Sequence, residues 1–411
     1  MARNRLPLRL GLTLSLLTAG LAVLLTSALP VVLDLRTALL VFATAAAILC
    51  LAGRRRSRGG ARRLLVTALA VGMLAAASLA AWDLTLAYRA QEVSFASGGV
   101  TLRGTLYLPR GAGRQPGIVL VHGAGRQTRR EYRFYARAYA REGVAALAYD
   151  KRGSGSSEGM SEPAAYETLA GDALRAVETL RGHPLIDPGR VGLWGLSEGE
   201  WVAPLAALRA APAFVVLVSP SAMTPAEQVR YEVGANVRRA GFGEPAAREA
   251  AELYGAVSRF ERTGQGRDEL NGRLHEARSR PWFGAARYLE PSVPEHGQLT
   301  RLPWFPAWRA RMDFDALPLL SELRCPVLAQ VGGADPKNDG PAALERIRTA
   351  LGRGGNTRFT GVTYPKAAHG MIEWRLPFGL PPPWLASGYL RTQLDWVRRQ
   401  ANSGAAASGR R

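Results

Sequence analysis

The chain has 411 residues, 47% of them hydrophobic and 21% charged, and that supply of apolar surface excludes a chain that stays mostly unfolded. Its two cysteines, Cys50 and Cys325, are too few and too scattered for a disulfide scaffold or a structural zinc site. The formal net charge of +20 invites a nucleic-acid reading, but +9 of it falls in residues 1–63, and of the 53 basic residues only Lys151, Lys337 and Lys366 are lysines, a bias of composition more than a ligand footprint.

The first element in chain order is apolar. Leu10 to Leu33 carries no charge, and at about 1.5 Å per residue it is long enough for a ~30 Å hydrocarbon core. Thr37 to Gly53 and Leu64 to Trp82 repeat the pattern, with six arginines between Arg54 and Arg63. Arginine is retained on the cytoplasmic side, so these runs predict about three transmembrane helices in residues 1–89, a lipid bilayer as partner, and everything after about Ala87 extracytoplasmic. A rival reading takes residues 1–28 as a signal peptide cleaved after Ala28.

Beyond Arg89 short β-rich runs alternate with helical ones, the signature of an α/β sheet. Glu92 to Ala96 and Val100 to Leu108 predict a hairpin across Gly98-Gly99. Gly117 to Val121, Val144 to Tyr149, Val191 to Leu196 and Phe214 to Val218 are continuous apolar runs, as in strands buried on both faces of a parallel sheet. Helices are predicted between them at 131–142, 164–181 and 198–210. The rhythm breaks at 222–320, a helical, aromatic-bearing insertion that would form a cap. It resumes with a strand at 326–331, a helix at 342–351, a strand at 359–364 and a helix near 385–399. The sheet core is thus assigned to 90–221 and 321–400, the cap to 222–320, and 401–411 to a disordered tail.

Gly195-Leu196-Ser197-Glu198-Gly199 fits G-x-S-x-G and falls between a buried strand and a helix, where a sharp turn lifts the serine hydroxyl above the sheet edge. A serine hydroxyl needs a base to take its proton as it attacks. Of the five histidines, His369 follows the last strand and is placed to swing over that edge, whereas His122 precedes a glycine at a strand end, His183 sits in a turn before Pro184, and His275 and His296 lie in the cap. Asp335, directly after the 326–331 strand, is the preferred orienting acid, with Asp339 as competitor. An oxyanion needs two donors: the N–H of Glu198, and an N–H from His122-Gly123-Ala124-Gly125, with Ala124 favoured.

Three motifs together, His122-Gly123-Ala124-Gly125, Tyr149-Asp150-Lys151-Arg152-Gly153-Ser154-Gly155-Ser156-Ser157 and Gly195-Leu196-Ser197-Glu198-Gly199, resemble the α/β-hydrolase family, in its bacterial serine esterase and serine aminopeptidase-like branch. The resemblance covers about residues 92–400. It implies a mostly parallel sheet with helices on both faces, and a structural role for the loop beginning at Asp150. The fold class expected is therefore an α/β-hydrolase with a helical cap, preceded by transmembrane helices. The activity expected is that of a membrane-anchored serine hydrolase cleaving carboxylic esters through Ser197, His369 and Asp335 and an acyl-enzyme. It needs no cofactor or metal, its substrate is a small acyl ester or peptide-like molecule, and no nucleic-acid partner is expected. The alternatives are a peptidase or acyltransferase using the same three residues, and a non-catalytic binding module. The cap aromatics, Trp282, Phe283, Trp304, Phe305 and Trp308 among them, fit either an apolar acyl pocket or packing of the cap itself.

Overall fold

The computed structural model describes residues 87–160, 164–373 and 384–408. The three apolar runs, the arginine loop between them and the residues after 408 lie outside that range. Among the described residues no helix is long and apolar enough to cross a membrane. This corrects the expected fold class to an α/β-hydrolase sheet with its cap, and it withdraws the transmembrane helices and the extracytoplasmic placement of the catalytic domain. The longer helices of the insertion are amphipathic. The longest, Gly243–Thr263, buries Ala247, Ala250, Leu253, Tyr254, Val257 and Phe260 and interleaves them with Glu244, Arg248, Glu252, Arg259 and Arg262.

Eight strands form the main sheet: β1 (Tyr88–Ser97), β2 (Val100–Pro109), β3 (Gln115–Val121), β4 (Ala145–Tyr149), β5 (Ile186–Leu196), β6 (Val215–Val218), β7 (Val327–Gly332) and β8 (Phe359–Tyr364). Their order is β1-β2-β4-β3-β5-β6-β7-β8. β2 pairs antiparallel with β4, and every pairing from β4 to β8 is parallel. The central parallel strands β4 and β6 are apolar and buried throughout because both faces are covered. On one face α2 (Tyr166–Arg181), α3 (Gly199–Ala210) and α10 (Gly340–Arg353) pack Ala173, Val177, Leu180, Ala203, Ile347 and Leu351 against Val119, Leu147, Leu193, Leu217 and Val331. On the other, α1 (Arg129–Arg141) and the C-terminal α11 (Tyr389–Ser408) cover Trp194 and Phe214 through Tyr135 and Trp396.

The insertion contains α4 (Pro225–Arg239), α5 (Gly243–Thr263), α6 (Arg267–Arg278), α7 (His296–Leu299) and α8 (Phe305–Arg311), followed by α9 (Leu317–Glu322). α4 opens on a capping box, with Thr224 and Glu227 each satisfying the other's backbone N–H. These helices build a core of their own around Val233, Leu253, Phe260, Leu274, Trp282 and Phe305. Leu320 of α9 belongs instead to the sheet core, so the structural edge of the cap falls a few residues before 320.

Two features differ from the sequence expectation. Ile372–Glu373 and Trp384–Leu385 pair as a two-residue antiparallel ribbon, too short to leave a periodic pattern. The last helix continues to Ser408, through residues expected to be a disordered tail. Because β3 and β5 to β8 run parallel, the loops that leave them all emerge at one edge of the sheet. Residues 122–125, 197, 219, 333–339 and 365–369 are therefore neighbours despite their sequence separation.

Candidate active site

β5 ends at Leu196 and α3 begins at Gly199, so the chain reverses from strand to helix within two residues. The turn forces Ser197 to φ +53°, left-handed backbone that an L-residue adopts at a cost of about 1–2 kcal/mol. A hydrogen bond from the Ser197 N–H to the Val218 carbonyl (2.9 Å) holds it there. Gly195 is required by the same turn, since a Cβ on it would lie 2.5 Å from the Gly199 carbonyl oxygen. Gly195→Ala is thus expected to lower the melting temperature by several degrees and to lower labelling of Ser197 in step, measured on one sample by thermal melt and a serine-directed probe. Unchanged labelling would contradict the close approach.

His369 lies in the loop after β8. Its Nε2 is 2.9 Å from Ser197 Oγ, and its Nδ1 is 2.8 Å from Asp335 Oδ2. A carboxylate only accepts, so Nδ1–H donates to Asp335 and Nε2 is left bare to accept from the serine hydroxyl. The Asp335 side chain is 1% exposed, and its other oxygen accepts the Lys337 N–H at 2.8 Å. The His369 loop is anchored by the Gly370 N–H, which donates to Ser219 Oγ at 3.0 Å. Asp339 acts instead on a helix end, where its Oδ1 accepts the Ala342 N–H as the N-cap of α10.

The other histidines are engaged elsewhere. His122 is buried, and burial pushes its pKa down to about 3. The ring is neutral and donates from Nε2 to the Tyr149 carbonyl at 2.6 Å. His183 accepts the Leu185 N–H in a turn, and His296 packs edge-on against Phe260 and Phe305 in the cap. His275 lies in α6, within the cap.

Ala124 is exposed at the mouth of its loop, and Glu198 opens the first turn of α3. Neither N–H has an acceptor among the described residues. Two N–H groups at this sheet edge, beside a serine hydroxyl bonded to an imidazole, can receive the negative charge of a tetrahedral adduct. Among the described residues, no group of three His, Cys, Asp or Glu side chains could hold a metal ion.

A charged cluster beside the turn, formed by Lys151, Arg311 and the side chain of Glu198, was not anticipated from the sequence. The Lys151 Nζ lies 2.5 Å from Glu198 Oε1 and 3.0 Å from the Gly123 carbonyl oxygen. Arg311, at the end of α8, approaches Glu198 Oε2 to 3.5 Å and donates to the Ala164 carbonyl from Nε at 2.7 Å. All of Lys151, Glu198 and Arg311 are buried. In the same loop Asp150 accepts the Arg129 and Ser156 N–H groups, and Arg152 pairs with the buried Asp172 of α2, so these two residues frame the site without facing it.

Glu200, also buried, accepts from the Ser221 N–H and hydroxyl and from the Ala222 N–H. Burial nevertheless pushes its pKa up to about 7, above the ordinary carboxylate value. Its proton therefore favours the folded state below about pH 4.5, and that contribution, at most about 3 kcal/mol, is lost as the pH rises through 7. Thermal melts of Glu200→Gln against the parent protein are expected to show a melting-temperature difference that grows in favour of the variant between pH 4.5 and 8. A constant difference would contradict this reading.

Most of the cap aromatics resolve toward packing, while Trp304 is exposed. Trp282 and Phe305 lie in the cap core, and the Trp282 and Trp308 indoles donate to Glu249 and Glu261. A cavity of about 520 Å³ opens beside α4, lined by Thr224, Arg230, Tyr231, Asp315 and Arg346 among others, and neither Ser197, Asp335 nor His369 lines it.

The sequence profile of the family described as X-Pro dipeptidyl-peptidase (S15 family) matches residues 98–344. Thiohydrolase aneE of Aspergillus aculeatus is 37% identical over 108 residues, 26% of this chain and 33% of that protein. The chain thus spans about a third of the length of this curated relative. Among solved structures, the complex of DcsB with its substrate analogue gives a TM-score of 0.49 at 17% identity, covering 76% of this chain and 100% of that one. Carboxyl esterase 2 of Tuber melanosporum gives 0.47 at 17% identity, covering 77% of this chain and 88% of that one.

Proposed function

Because this chain belongs to the X-Pro dipeptidyl-peptidase (S15) family, we propose that it is a serine hydrolase that cleaves acyl bonds through Ser197, His369 and Asp335. Ser197 Oγ bonds to the acyl carbon as its proton passes to His369 Nε2. The adduct collapses when the carbon–heteroatom bond to the leaving group breaks and His369 returns the proton to that group. Water then attacks the acyl-enzyme, giving its proton to His369, and Ser197 leaves with that proton restored. Asp335 holds the ring in the tautomer both halves need, and the Ala124 and Glu198 N–H groups bind the oxyanion. The single observation that supports this reading is the unbroken hydrogen-bonded sequence Asp335–His369–Ser197 ending on a serine in left-handed backbone.

Esters and thioesters are the favoured substrates. An X-Pro dipeptidyl-peptidase must bind a free ammonium terminus, which calls for an uncommitted carboxylate near the serine. Among the described residues, the carboxylates of Glu198 and Asp335 beside the serine are both engaged, Glu198 by Lys151 and Arg311 and Asp335 by His369. The family description favours the peptidase as a second reading. The full chain should be treated with a fluorophosphonate probe, then assayed on short acyl esters, acyl thioesters and an Xaa-Pro anilide. Labelling at Ser197 with turnover of esters or thioesters is the expected result. Turnover of the anilide alone would select the peptidase, and absence of labelling in folded protein would leave a binding module.

A further inference from the structure

We propose that Lys151 is the positioning residue of the oxyanion hole, fixing both of its arms with one ammonium group; the inference rests on Ser197 being the nucleophile. The Lys151 Nζ donates to the Gly123 carbonyl at 3.0 Å. That carbonyl and the Ala124 N–H belong to one peptide unit, planar and trans, so they point in opposite directions. Holding the oxygen from behind aims the N–H outward at the substrate. The same Nζ lies 2.5 Å from Oε1 of Glu198, the residue whose own N–H is the second donor. A cation on the Gly123 oxygen also polarises that amide and strengthens its N–H as a donor.

The remaining contacts of the loop leave this part to Lys151. The Gly123 N–H is used from the other side, donating to Tyr132 Oη at 2.8 Å and to Gln127 Oε1 at 3.0 Å. The Gln127 carbonyl in turn accepts the Lys151 N–H at 3.1 Å, which ties the two loops together. The Lys151 side chain is 2% exposed, and the void against it, lined by His122, Tyr149, Asp172 and Glu198 among others, is about 10 Å³, room for one water at most. Arginine would not serve, since its planar fork spreads its donors, whereas a lysine is a compact point donor. In a chain with only three lysines among 53 basic residues, this position holds one of them.

The test separates positioning from stability. Lys151→Met alone leaves the buried Glu198 carboxylate with only the longer contact to Arg311, at 3.5 Å, and is expected to lower the melting temperature. The double variant K151M/E198Q replaces the ion pair by an uncharged pair of similar size while Arg311 keeps its bond to the Ala164 carbonyl, and it is expected to recover most of the melting temperature; K151R keeps the charge but overfills a site with about 10 Å³ to spare and is expected to melt lower. In each, kcat on an acyl ester should fall about 10- to 100-fold with KM within about threefold, and a boronic acid, whose tetrahedral adduct imitates the oxyanion, should bind more weakly by the same factor. A merely structural ion pair predicts that kcat recovers along with the melting temperature. Recovery of full kcat in either folded variant would overturn the role of Lys151. Failure of the parent protein to take a fluorophosphonate at Ser197 would instead overturn the nucleophile on which it rests.

Discussion

Replacing Ser197 by alanine is expected to abolish fluorophosphonate labelling and to lower kcat by about 10⁴-fold or more, with a melting temperature close to that of the parent protein. The chemical loss is large because without Oγ no acyl-enzyme forms, and the proton transfers of His369 all serve the making or breaking of that intermediate. What remains is the oxyanion hole acting on a bystander water. Ser197→Gly should lose the same activity while gaining stability. Glycine relieves the φ of +53° and is expected to add roughly 1 kcal/mol, or about 2–4 °C. The inactive variant that melts higher than its parent would mark Ser197 as a residue kept at the expense of the fold. Labelling that persists on either variant would mean that another nucleophile reacts.

The second large effect is expected at Asp335. Asp335→Asn preserves size and the acceptor that receives the Lys337 N–H, yet it presents an N–H₂ donor where His369 Nδ1–H needs an acceptor. The imidazole must then shift to the tautomer with Nδ1 bare, which places a proton on Nε2 facing Ser197. A fall in kcat of about 10⁴-fold with little change in KM is expected. The matched control is Asp339→Ala, four residues on in the same loop, which removes only the cap of α10. It should cost about 1 kcal/mol of stability and leave kcat unchanged. The reverse outcome, activity lost at 339 and kept at 335, would reassign the acid.

Much of the sheet was legible because fully apolar runs such as Gly117 to Val121 and Phe214 to Val218 reflect burial on both faces, which parallel pairing imposes. The residues around Ser197 were legible because strand ends at one sheet edge converge whatever their separation in sequence. Lys151, Glu200 and Arg311 were not. A buried ion pair between residues 47 apart leaves no period and no motif, and the side chain of Glu198 was hidden behind the role of its own backbone. The signal at Lys151 was compositional: a lysine in a chain whose basic residues are otherwise almost all arginine. The aromatics of the cap left two readings open in the sequence, and for Trp282 and Phe305 the structure selects packing in a second hydrophobic core. The apolar runs before residue 87 followed membrane rules, and among the described residues no helix does.

The cap's separate core has an evolutionary consequence. Residues 225–311 fold around their own apolar cluster, and Arg311 fastens their end to the Glu198 carboxylate beside Ser197. Substitutions within that cluster can reshape what passes over the sheet edge while the parts that hold Ser197, His369 and Asp335 keep their packing. The enzyme can therefore change its diet without relearning its chemistry, provided that one guanidinium keeps its grip.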